Sequence, residues 1–397
     1  MKLSNRANNV ATSATFAMMQ KAGELKAQGV NVISMSVGEP DFNTPDHIKA
    51  AAIKAVEENY SRYSPVPGYP ALKKAVCAKL LNENGLKYEP SQILISNGAK
   101  QSICNAVMAL AGPGDEVIIP APCWVSYPQM ALMAEATPVI IPAPLEQDFK
   151  ILPDQLEAAI TPATKLLILC SPSNPTGSVY SRAELEGLKN VLLRHPDVMV
   201  ISDEIYEHIN YVGKHESIAQ FDDIKDRVII VNGVSKAYAM TGWRIGYIAA
   251  AEWVVKACNK LQGQYTSGPC SVSQMAAVAA YEGPQECVEQ MRLAFLRRRD
   301  LIVGLLRGIP GLQVNEPHGA FYVFPRCSSY FGRRTPSGAV IATSSDLAMY
   351  LLEEGHVATV GGDAFGAPDC FRLSYATSDE NIVEACRRIA EALGKLS

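Results

Sequence analysis

The sequence predicts an α/β protein, with a large domain built on a mainly parallel central sheet flanked by helices and a smaller α+β domain. From about Ser91 onward, short apolar runs alternate with helical patterns, which is typical of βαβ units on a parallel sheet. After Gly283 the pattern changes to a long charged helix followed by alternating segments, which indicates a second unit. With 397 residues, 48% of them apolar, the chain is long enough for two domains.

The domain boundaries follow from this change of pattern. We expect residues 46–283 to form the large domain and residues 284–397 to form the small C-terminal domain, which residues 1–45 join as an N-terminal segment. In the large domain, a strand at Ile93–Ser96 is predicted to lead into a helix at Ala99–Ala111. The further strands predicted there are Glu116–Ile119, Thr137–Ile141, Leu166–Cys170, Val198–Ser202, Val228–Val231 and Tyr247–Ala250.

The small domain is predicted to combine helices with short strands. Its predicted elements are helices at Glu286–Arg307, Ser345–Glu354 and Asp379–Leu393, and strands around Gly319–Phe324 and Phe371–Ser374. The first helix carries the run Arg297-Arg298-Arg299. Because runs of charge are usually solvated, we expect this triplet to lie on an exposed helix face.

The charge and the cysteines limit the class of protein and its location. A net charge of -4 gives no broad attraction to phosphate backbones or anionic lipid, so nucleic acid and membranes are not expected partners. No apolar run approaches the length of a membrane span, and no targeting segment is apparent. The 10 cysteines include no CxxC pair, which favours a reducing cytoplasm over a disulfide framework, and no metal site is expected.

Polar side chains follow three of the predicted strands. Asn174 comes after Leu166–Cys170, Asp203 and Tyr206 come after Val198–Ser202, and Lys236 comes after Val228–Val231. In open α/β sheets the ligand crevice lies outside the carboxyl ends of the strands, so these side chains are expected to converge. Taken singly, Asn174 could start a turn, Asp203 could cap a helix and Tyr206 could fill the core.

Lys236 is the predicted chemical centre. A lone lysine is usually a solvated surface group, but one placed past a buried strand among small and aromatic residues can be held partly neutral. A neutral amine is a nucleophile toward carbonyl groups. The sequence therefore favours carbonyl chemistry at this position.

These residues stand in motifs that resemble one known family along nearly the whole chain. The motifs are Val37-Gly38-Glu39-Pro40-Asp41-Phe42, Asn174-Pro175-Thr176-Gly177, Ser202-Asp203-Glu204-Ile205-Tyr206, Ser235-Lys236 with Arg244, and Phe371-Arg372-Leu373-Ser374-Tyr375. Their ordered combination is similar to that of the class I pyridoxal-phosphate-dependent aminotransferases, specifically the aspartate aminotransferase family. The resemblance extends to the subgroup that includes aspartate/prephenate aminotransferases. It implies the fold-type I architecture of that family and pyridoxal 5′-phosphate as cofactor.

The resemblance implies catalytic roles for three residues. Lys236 would bind the cofactor covalently and act as the base that moves the substrate α-proton. Asp203 would pair with the ring nitrogen and keep it protonated, which makes the ring an electron sink. Tyr206, together with Asn174, would donate hydrogen bonds to the ring oxygen.

The resemblance also implies a phosphate site and a partner subunit. The turn Gly98-Ala99-Lys100 at a helix N-terminus and the guanidinium of Arg244 would hold the phosphate, with Ser235 adding its hydroxyl. Tyr63 resembles the tyrosine that reaches the phosphate from the neighbouring subunit, which implies a homodimer with shared active sites. Trp124 resembles the aromatic residue that stacks on the cofactor ring and contacts the substrate. For these positions, a plain strand–turn–helix junction, a surface tyrosine and a core tryptophan are the alternatives.

Further residues resemble the substrate ligands of the family. Arg372 would bind the substrate α-carboxylate, assisted by the Gly38 backbone and Asn174. One subgroup binds the distal carboxylate with an arginine from the partner, but residues 262–274 contain none. This departure points to Lys100 for that role. Thr15, together with Lys100, matches residues linked with prephenate use, although a helix cap would also explain a threonine there.

The resemblance therefore implies reversible transfer of an amino group between L-aspartate and 2-oxoglutarate by a ping-pong route. The alternatives within the family are a bifunctional aspartate/glutamate-prephenate aminotransferase and an aromatic or alanine aminotransferase. A lyase on the same fold would share Lys236, Asp203 and Arg372. A cofactor-binding regulator is disfavoured, because the segment before Gly38 is too short for a helix-turn-helix module and the chemical residues are intact.

Overall fold

The structure is a computed structural model that describes residues 3–397. Its strands are β1 Ile33–Ser34, β2 Ile93–Ser96, β3 Glu116–Ala121, β4 Thr137–Pro142, β5 Thr164–Cys170, β6 Met199–Asp203, β7 Val228–Gly233, β8 Gly246–Ala249, β9 Tyr322–Val323, β10 Val357–Ala358, β11 Val360–Gly361 and β12 Phe371–Ser374. Its α-helices are α1 Asn5–Asn9, α2 Ala14–Ala27, α3 Asp46–Glu57, α4 Pro70–Asn84, α5 Ala99–Leu110, α6 Ser126–Met133, α7 Pro153–Ala159, α8 Arg182–Arg194, α9 Glu252–Tyr265, α10 Ser271–Glu282, α11 Glu286–Arg307, α12 Ser344–Glu353 and α13 Asp379–Gly394.

The central sheet has seven strands in the order β2-β8-β7-β6-β5-β3-β4. The pairs among β3, β4, β5, β6 and β7 are parallel, whereas β8 is antiparallel to both of its neighbours, β2 and β7. This confirms the predicted mainly parallel sheet. The exception arises because residues 234–245 return the chain without a crossover helix, and a parallel connection requires one.

Helices cover both faces of this sheet, and the strands are therefore apolar along their whole length. One face packs on α5, α6 and α9, where Ile103, Met130 and Val254 are buried against strand residues such as Ile201. The other face packs on α3, α4, α8 and α10, where Leu72 and Leu188 belong to one apolar cluster with the strands. The carboxyl ends of the parallel strands stay free of these helices and can form a site.

The remaining strands belong to smaller sheets. β11, β12 and β9 form an antiparallel sheet, and α11 packs against α13 beside it. β1, near the start of the chain, pairs in parallel with β10, so the N-terminal segment is tied to the C-terminal part. The boundaries at residues 45/46 and 283/284 stay a prediction.

The arginine triplet on α11 differs from its predicted exposure. The side chain of Arg297 is 64% exposed, but those of Arg298 and Arg299 are only 8% and 12% exposed. Consecutive helical residues point about 100° apart, so three in a row cannot share one face. Here Arg298 turns inward and pairs with Asp41.

No helix within residues 3–397 combines the length and the apolar character that a membrane crossing requires.

Candidate active site

A cavity of about 510 Å³ opens at the carboxyl ends of β5, β6 and β7. The residues predicted from the sequence that line it are Thr15, Gly38, Ala99, Lys100, Trp124, Asn174, Asp203, Tyr206, Ser235, Lys236, Arg244 and Arg372. Gly98 lies directly beneath the lining, against Arg244. Tyr63 lies apart from this cavity and is 98% exposed. Its predicted partner is a second subunit, so its place in a site stays a prediction.

Lys236 follows β7 by three residues, and its amine points into the cavity. Nζ donates a hydrogen bond to the carbonyl oxygen of Gly38 at 2.6 Å and lies 5.7 Å from the ring centre of Tyr206. Burial lowers the pKa of Lys236 to about 8, although the nearby Glu39 carboxylate opposes the shift. A substantial fraction of the amine is therefore neutral near pH 8, as a nucleophile or base requires.

Asp203 is the last residue of β6 and is 4% exposed. Its Oδ2 accepts a hydrogen bond from the hydroxyl of Tyr127 at 2.6 Å, and its Oδ1 accepts one from the amide of Ile205 at 3.2 Å. Burial raises the pKa of Asp203 to about 6, while these two donors oppose the shift by stabilising the charged form. The carboxylate is thus ionised at neutral pH and faces a cavity that can hold a cation.

An anion cradle forms where β2 turns into α5. The first amides of a helix have no intrahelical acceptor and lie at its positive end. The guanidinium of Arg244 covers this turn and donates to the carbonyl oxygens of Thr241 at 2.8 Å and Asn97 at 3.3 Å. Gly98 has a φ of 80°, and a Cβ there would collide with this guanidinium. The sequence therefore needs glycine at this turn.

β8 lies between the anion cradle, which follows β2, and the chain segment after β7 that carries Lys236. Gly246, its first residue, pairs with Ser96 of β2 on one side and with Gly233 of β7 on the other. A Cβ at Gly246 would collide with the backbone of Ala99. The three chain segments are therefore in direct main-chain contact.

Arg372 enters the cavity from β12 and is 2% exposed. Its guanidinium donates to Oδ1 of Asn174 at 2.8 Å and to the carbonyl oxygen of Ser36 at 2.6 Å, and it lies 4.7 Å from the ring centre of Tyr322. Its Nε is buried and has no hydrogen-bond partner among residues 3–397. A buried cation with an unused donor suits a carboxylate ligand.

Tyr206 and Trp124 supply the aromatic surfaces of the cavity. The hydroxyl groups of Tyr206 and Tyr322 lie 2.7 Å apart, so one donates to the other. The ring of Trp124 packs edge-on against Tyr127, with centroids 5.4 Å apart. The ammonium of Lys100 lies 4.9 Å from the centre of the Trp124 ring.

A family model described as aminotransferase class I and II matches residues 30–389. The chain belongs to this family. It is an aminotransferase, which the motifs in the sequence also indicate.

Curated relatives match over their whole length or most of it. The chain is 50% identical to the probable aspartate/prephenate aminotransferase of Rickettsia bellii, with 99% of each chain covered. It is also 50% identical to the aspartate/prephenate aminotransferase of Cereibacter sphaeroides, with 100% of this chain and 99% of the relative covered. A bifunctional aspartate aminotransferase and glutamate/aspartate-prephenate aminotransferase of Petunia hybrida is 50% identical, with 99% of this chain and 83% of the relative covered.

Solved structures confirm the predicted fold class. The aspartate aminotransferase of Rhizobium meliloti has a TM-score of 0.96 at 45% identity, with 100% of both chains covered. The aspartate aminotransferase of Thermus thermophilus with maleate has a TM-score of 0.92 at 40% identity, with 99% of this chain and 100% of that chain covered.

Three cavity residues of the aminotransferase were not singled out from the sequence. Tyr127 bonds Asp203, Tyr322 contacts both Tyr206 and Arg372, and the carboxylate of Glu39 accepts from Thr241 at 3.0 Å. Trp124 precedes α6, so its spacing from Tyr127 is not that of one helix face. Neither Tyr127 nor Tyr322 gave a local signal, because their contacts join residues far apart in the chain.

Proposed function

We propose that this aminotransferase transfers an amino group reversibly between L-aspartate and 2-oxoglutarate, with pyridoxal 5′-phosphate as cofactor, by a ping-pong route. The observation that carries the proposal is the convergence in one cavity of the Lys236 amine, the buried Asp203 carboxylate and the buried Arg372 guanidinium. The names of the relatives support the choice of aspartate.

The residues present fit the cofactor on two observations. The turn at Gly98 and the guanidinium of Arg244 form a cationic cradle that a Cβ would fill, and such a cradle suits a phosphate. The Asp203 carboxylate, buried yet ionised at neutral pH, suits a protonated ring nitrogen. When bound, the cofactor supplies an aldehyde that forms covalent bonds with amines and a ring that withdraws electrons from the substrate Cα.

Lys236 is proposed as the residue that binds the cofactor covalently and then moves the α-proton of the substrate. Its lowered pKa supports both tasks, because only the neutral amine can attack a carbonyl or accept a proton. Asp203 would hold a proton on the ring nitrogen. Tyr206 and Asn174 would donate to the ring oxygen, and Trp124 would cover the ring face.

The remaining residues of the cavity are proposed to bind either the cofactor phosphate or one of the two substrate carboxylates. Gly98, Ala99, Lys100, Ser235 and Arg244 are proposed for the phosphate. Arg372, together with Gly38 and Asn174, is proposed for the α-carboxylate, which the unused donor on Arg372 Nε supports. Lys100 is proposed for the distal carboxylate as well, with Thr15 beside it in the same cavity.

We further propose a homodimer in which Tyr63 completes the phosphate site of the partner subunit. A side chain that is 98% exposed on a loop is available for such a contact. We also propose a cytoplasmic location, which the free thiols of all the cysteines support.

Prephenate is a second acceptor that specific observations favour. Thr15 and Lys100 line the same cavity, and relatives at 50% identity are named for prephenate as well as aspartate. Rates for aspartate with 2-oxoglutarate and for aspartate or glutamate with prephenate, measured side by side, would rank the two acceptors. Turnover with 2-oxoglutarate and none with prephenate would remove the second function.

The main proposal is tested with the purified protein and its Lys236→Ala variant. Aspartate should reduce the long-wavelength absorbance of the bound cofactor, and 2-oxoglutarate should restore it. Lys236→Ala should abolish turnover, whereas Lys256→Ala, which changes a lysine that is 74% exposed, should leave it intact. Normal turnover by Lys236→Ala would refute the proposed mechanism.

A further inference from the structure

Residues 38–44, called here the 38–44 segment, run between the small-domain helix α11 and the chain segment that carries Lys236. The segment is bound by side-chain contacts at Asp41 and at Thr44, and its first two residues, Gly38 and Glu39, line the cavity. Its contacts with α11 lie outside the cavity. They have no part in the chemistry proposed above.

The contact with α11 is a paired salt bridge between Arg298 and Asp41. Nη1 of Arg298 donates to Oδ1 of Asp41 at 2.7 Å, and Nη2 donates to Oδ2 at 2.9 Å. The guanidinium lies 5.1 Å from the ring centre of Phe42 and 5.8 Å from that of Phe295, and these rings pack edge to face. A bidentate pair between aromatic rings restricts both position and direction, which a single surface salt bridge does not.

The other end of the 38–44 segment is bound to the chain that follows Lys236. The hydroxyl of Thr44 donates to the carbonyl oxygen of Ala239 at 2.7 Å and accepts from the indole of Trp243 at 3.1 Å. The hydroxyl of Thr241 donates to the Glu39 carboxylate at 3.0 Å. These bonds hold the 38–44 segment against residues 239–243, which follow Lys236 in the chain.

The first two residues of the 38–44 segment, which precede Asp41 and Thr44 in the chain, meet the Lys236 amine. The Gly38 carbonyl accepts the hydrogen bond from Nζ at 2.6 Å, and Glu39 is the carboxylate whose charge acts most strongly on this amine. The other charged groups that act on the amine are Arg244, Arg372 and Asp203. All three project from β-strands or from the loop after Lys236, so Gly38 and Glu39 are the contacts that depend on the segment.

We propose that the Arg298–Asp41 pair is a positioning device that holds Gly38 and Glu39 against the Lys236 amine. Arg298 does not line the cavity; besides Asp41 it pairs with Asp379 at 3.6 Å, and it reaches the Lys236 amine through the 38–44 segment. The inference rests on the proposed role of Lys236 as the reacting amine. It adds that residues on α11 set how readily that amine accepts and releases its proton.

Arg298→Met is the test variant, because methionine keeps the apolar stem between the two rings and removes the charge. The partner Asp41, 30% exposed, can then be hydrated. Arg297→Met is the matched control, since it changes the preceding arginine of the same helix, which pairs with Asp379. The full-length chain, freed of cofactor, is treated with formaldehyde and a borohydride reagent across a pH series. The fraction of Lys236 methylated gives the pKa of its amine.

In Arg298→Met, the pKa of Lys236 should fall by about one pH unit, the size expected for losing one charge-assisted hydrogen bond. In Arg297→Met it should stay at the wild-type value. For the holoenzyme, kcat/KM with aspartate should fall, because Gly38 both contacts the Lys236 amine and is proposed for the substrate α-carboxylate. Arg298→Lys, which keeps the charge without the paired geometry, should lie between wild type and Arg298→Met.

Thr44→Val is the second test variant, to be used if Arg298→Met does not fold. It loosens the other attachment of the 38–44 segment and should lower the pKa of Lys236 in the same direction. A pKa of Lys236 that is unchanged or raised in these variants, even with a lowered melting temperature, would overturn the positioning role. A wild-type protein without transaminase activity would instead overturn the proposed function.

Discussion

No carboxylate pairs with Lys100 within residues 3–397. Its ammonium rests near the face of Trp124 and lines the cavity, and burial lowers its pKa. A cation held by a ring keeps its charge available for an incoming anion. At the scale of single residues, it is the side chain that best explains a preference for dicarboxylic substrates.

The variant Lys100→Met should therefore discriminate between substrates. We expect kcat/KM for aspartate to fall by about ten- to a hundredfold, the range for losing one charge-assisted hydrogen bond to a substrate. The value for alanine, which lacks the distal carboxylate, should change little. Steady-state kinetics with both amino donors give the comparison, and equal losses for both would remove Lys100 from the distal pocket.

Some residues of the site could be predicted from the sequence, whereas contacts between distant residues could not. Lys236, Asp203 and Arg372 could be identified because each lies in a strand or shortly after one, within a characteristic motif. The bond from Tyr127 to Asp203 joins residues 76 positions apart, and no local pattern encodes such a contact. Arg298 was predicted to be solvated, because the sequence shows a charge run but not the partner that buries one of its members.

At the scale of elements, the junction of β2 and α5 has a backbone requirement that can be tested. Gly98→Ala should weaken cofactor binding by about tenfold or more, because the added Cβ displaces the Arg244 guanidinium from the cradle. Titration of the cofactor-free protein with pyridoxal 5′-phosphate measures the change.

The matched control is Gly85→Ala, since Gly85 has a φ of 71° and open space around its Cβ position. Gly85→Ala carries the cost of a left-handed alanine, about 1 kcal/mol, whereas Gly98→Ala, at a φ of 80° and a ψ of 160°, carries a larger backbone cost and also changes the cradle. Equal cofactor affinities in the two variants would show that the cradle tolerates a side chain.

The elements themselves were predictable where packing is simple. β5, β6 and β7 begin and end within two residues of their predictions, because strands buried on both faces must be apolar throughout. The antiparallel direction of β8 was not predicted. Its apolar run is compatible with either direction, and only the absence of a crossover helix between residues 234 and 245 decides the matter.

At the scale of the whole molecule, a buried group of charges lies on the side of β6 away from the cavity. Nε2 of His215 lies 3.2 Å from the Glu204 carboxylate, and Lys79 pairs with Glu207 beside them. Burial lowers the pKa of His215, but Glu204, through its charge and hydrogen bonding, and the charge of Glu207 together outweigh burial, so the net pKa lies above the ordinary 6.5. Stability from this pair is therefore fully present below pH 6.5 and is lost as the pH rises through the raised pKa.

His215→Gln should expose this dependence, since glutamine can still bond Glu204 but cannot become charged. The melting temperature of the variant should lie furthest below that of wild type near about pH 6, and the gap should narrow toward about pH 9. His318→Gln is the control, because the histidine–carboxylate pairs within the described residues involve His195, His208 and His215 but not His318. A gap that stays constant across the series would mean that His215 is neutral in the folded protein.

The proposed dimer makes a prediction about mixed subunits. Alone, Lys236→Ala should be inactive and Tyr63→Phe weakly active, because each change damages both sites of its own dimer. When the two are mixed and allowed to exchange subunits, hybrid dimers should regain activity at one site, which combines an intact Lys236 with an intact Tyr63 of the partner subunit. Activity equal to the average of the separate variants would place Tyr63 outside a shared site.

The main-chain contact through Gly246 fixes the distance between the anion cradle and the segment that carries Lys236. Ser96, Gly246 and Gly233 lie side by side, so the cradle and the lysine segment are separated by two strand spacings, roughly 10 Å. Main-chain pairing holds the cradle and the segment that carries Lys236 at this distance, so a ligand that reaches from one to the other must match the span in length.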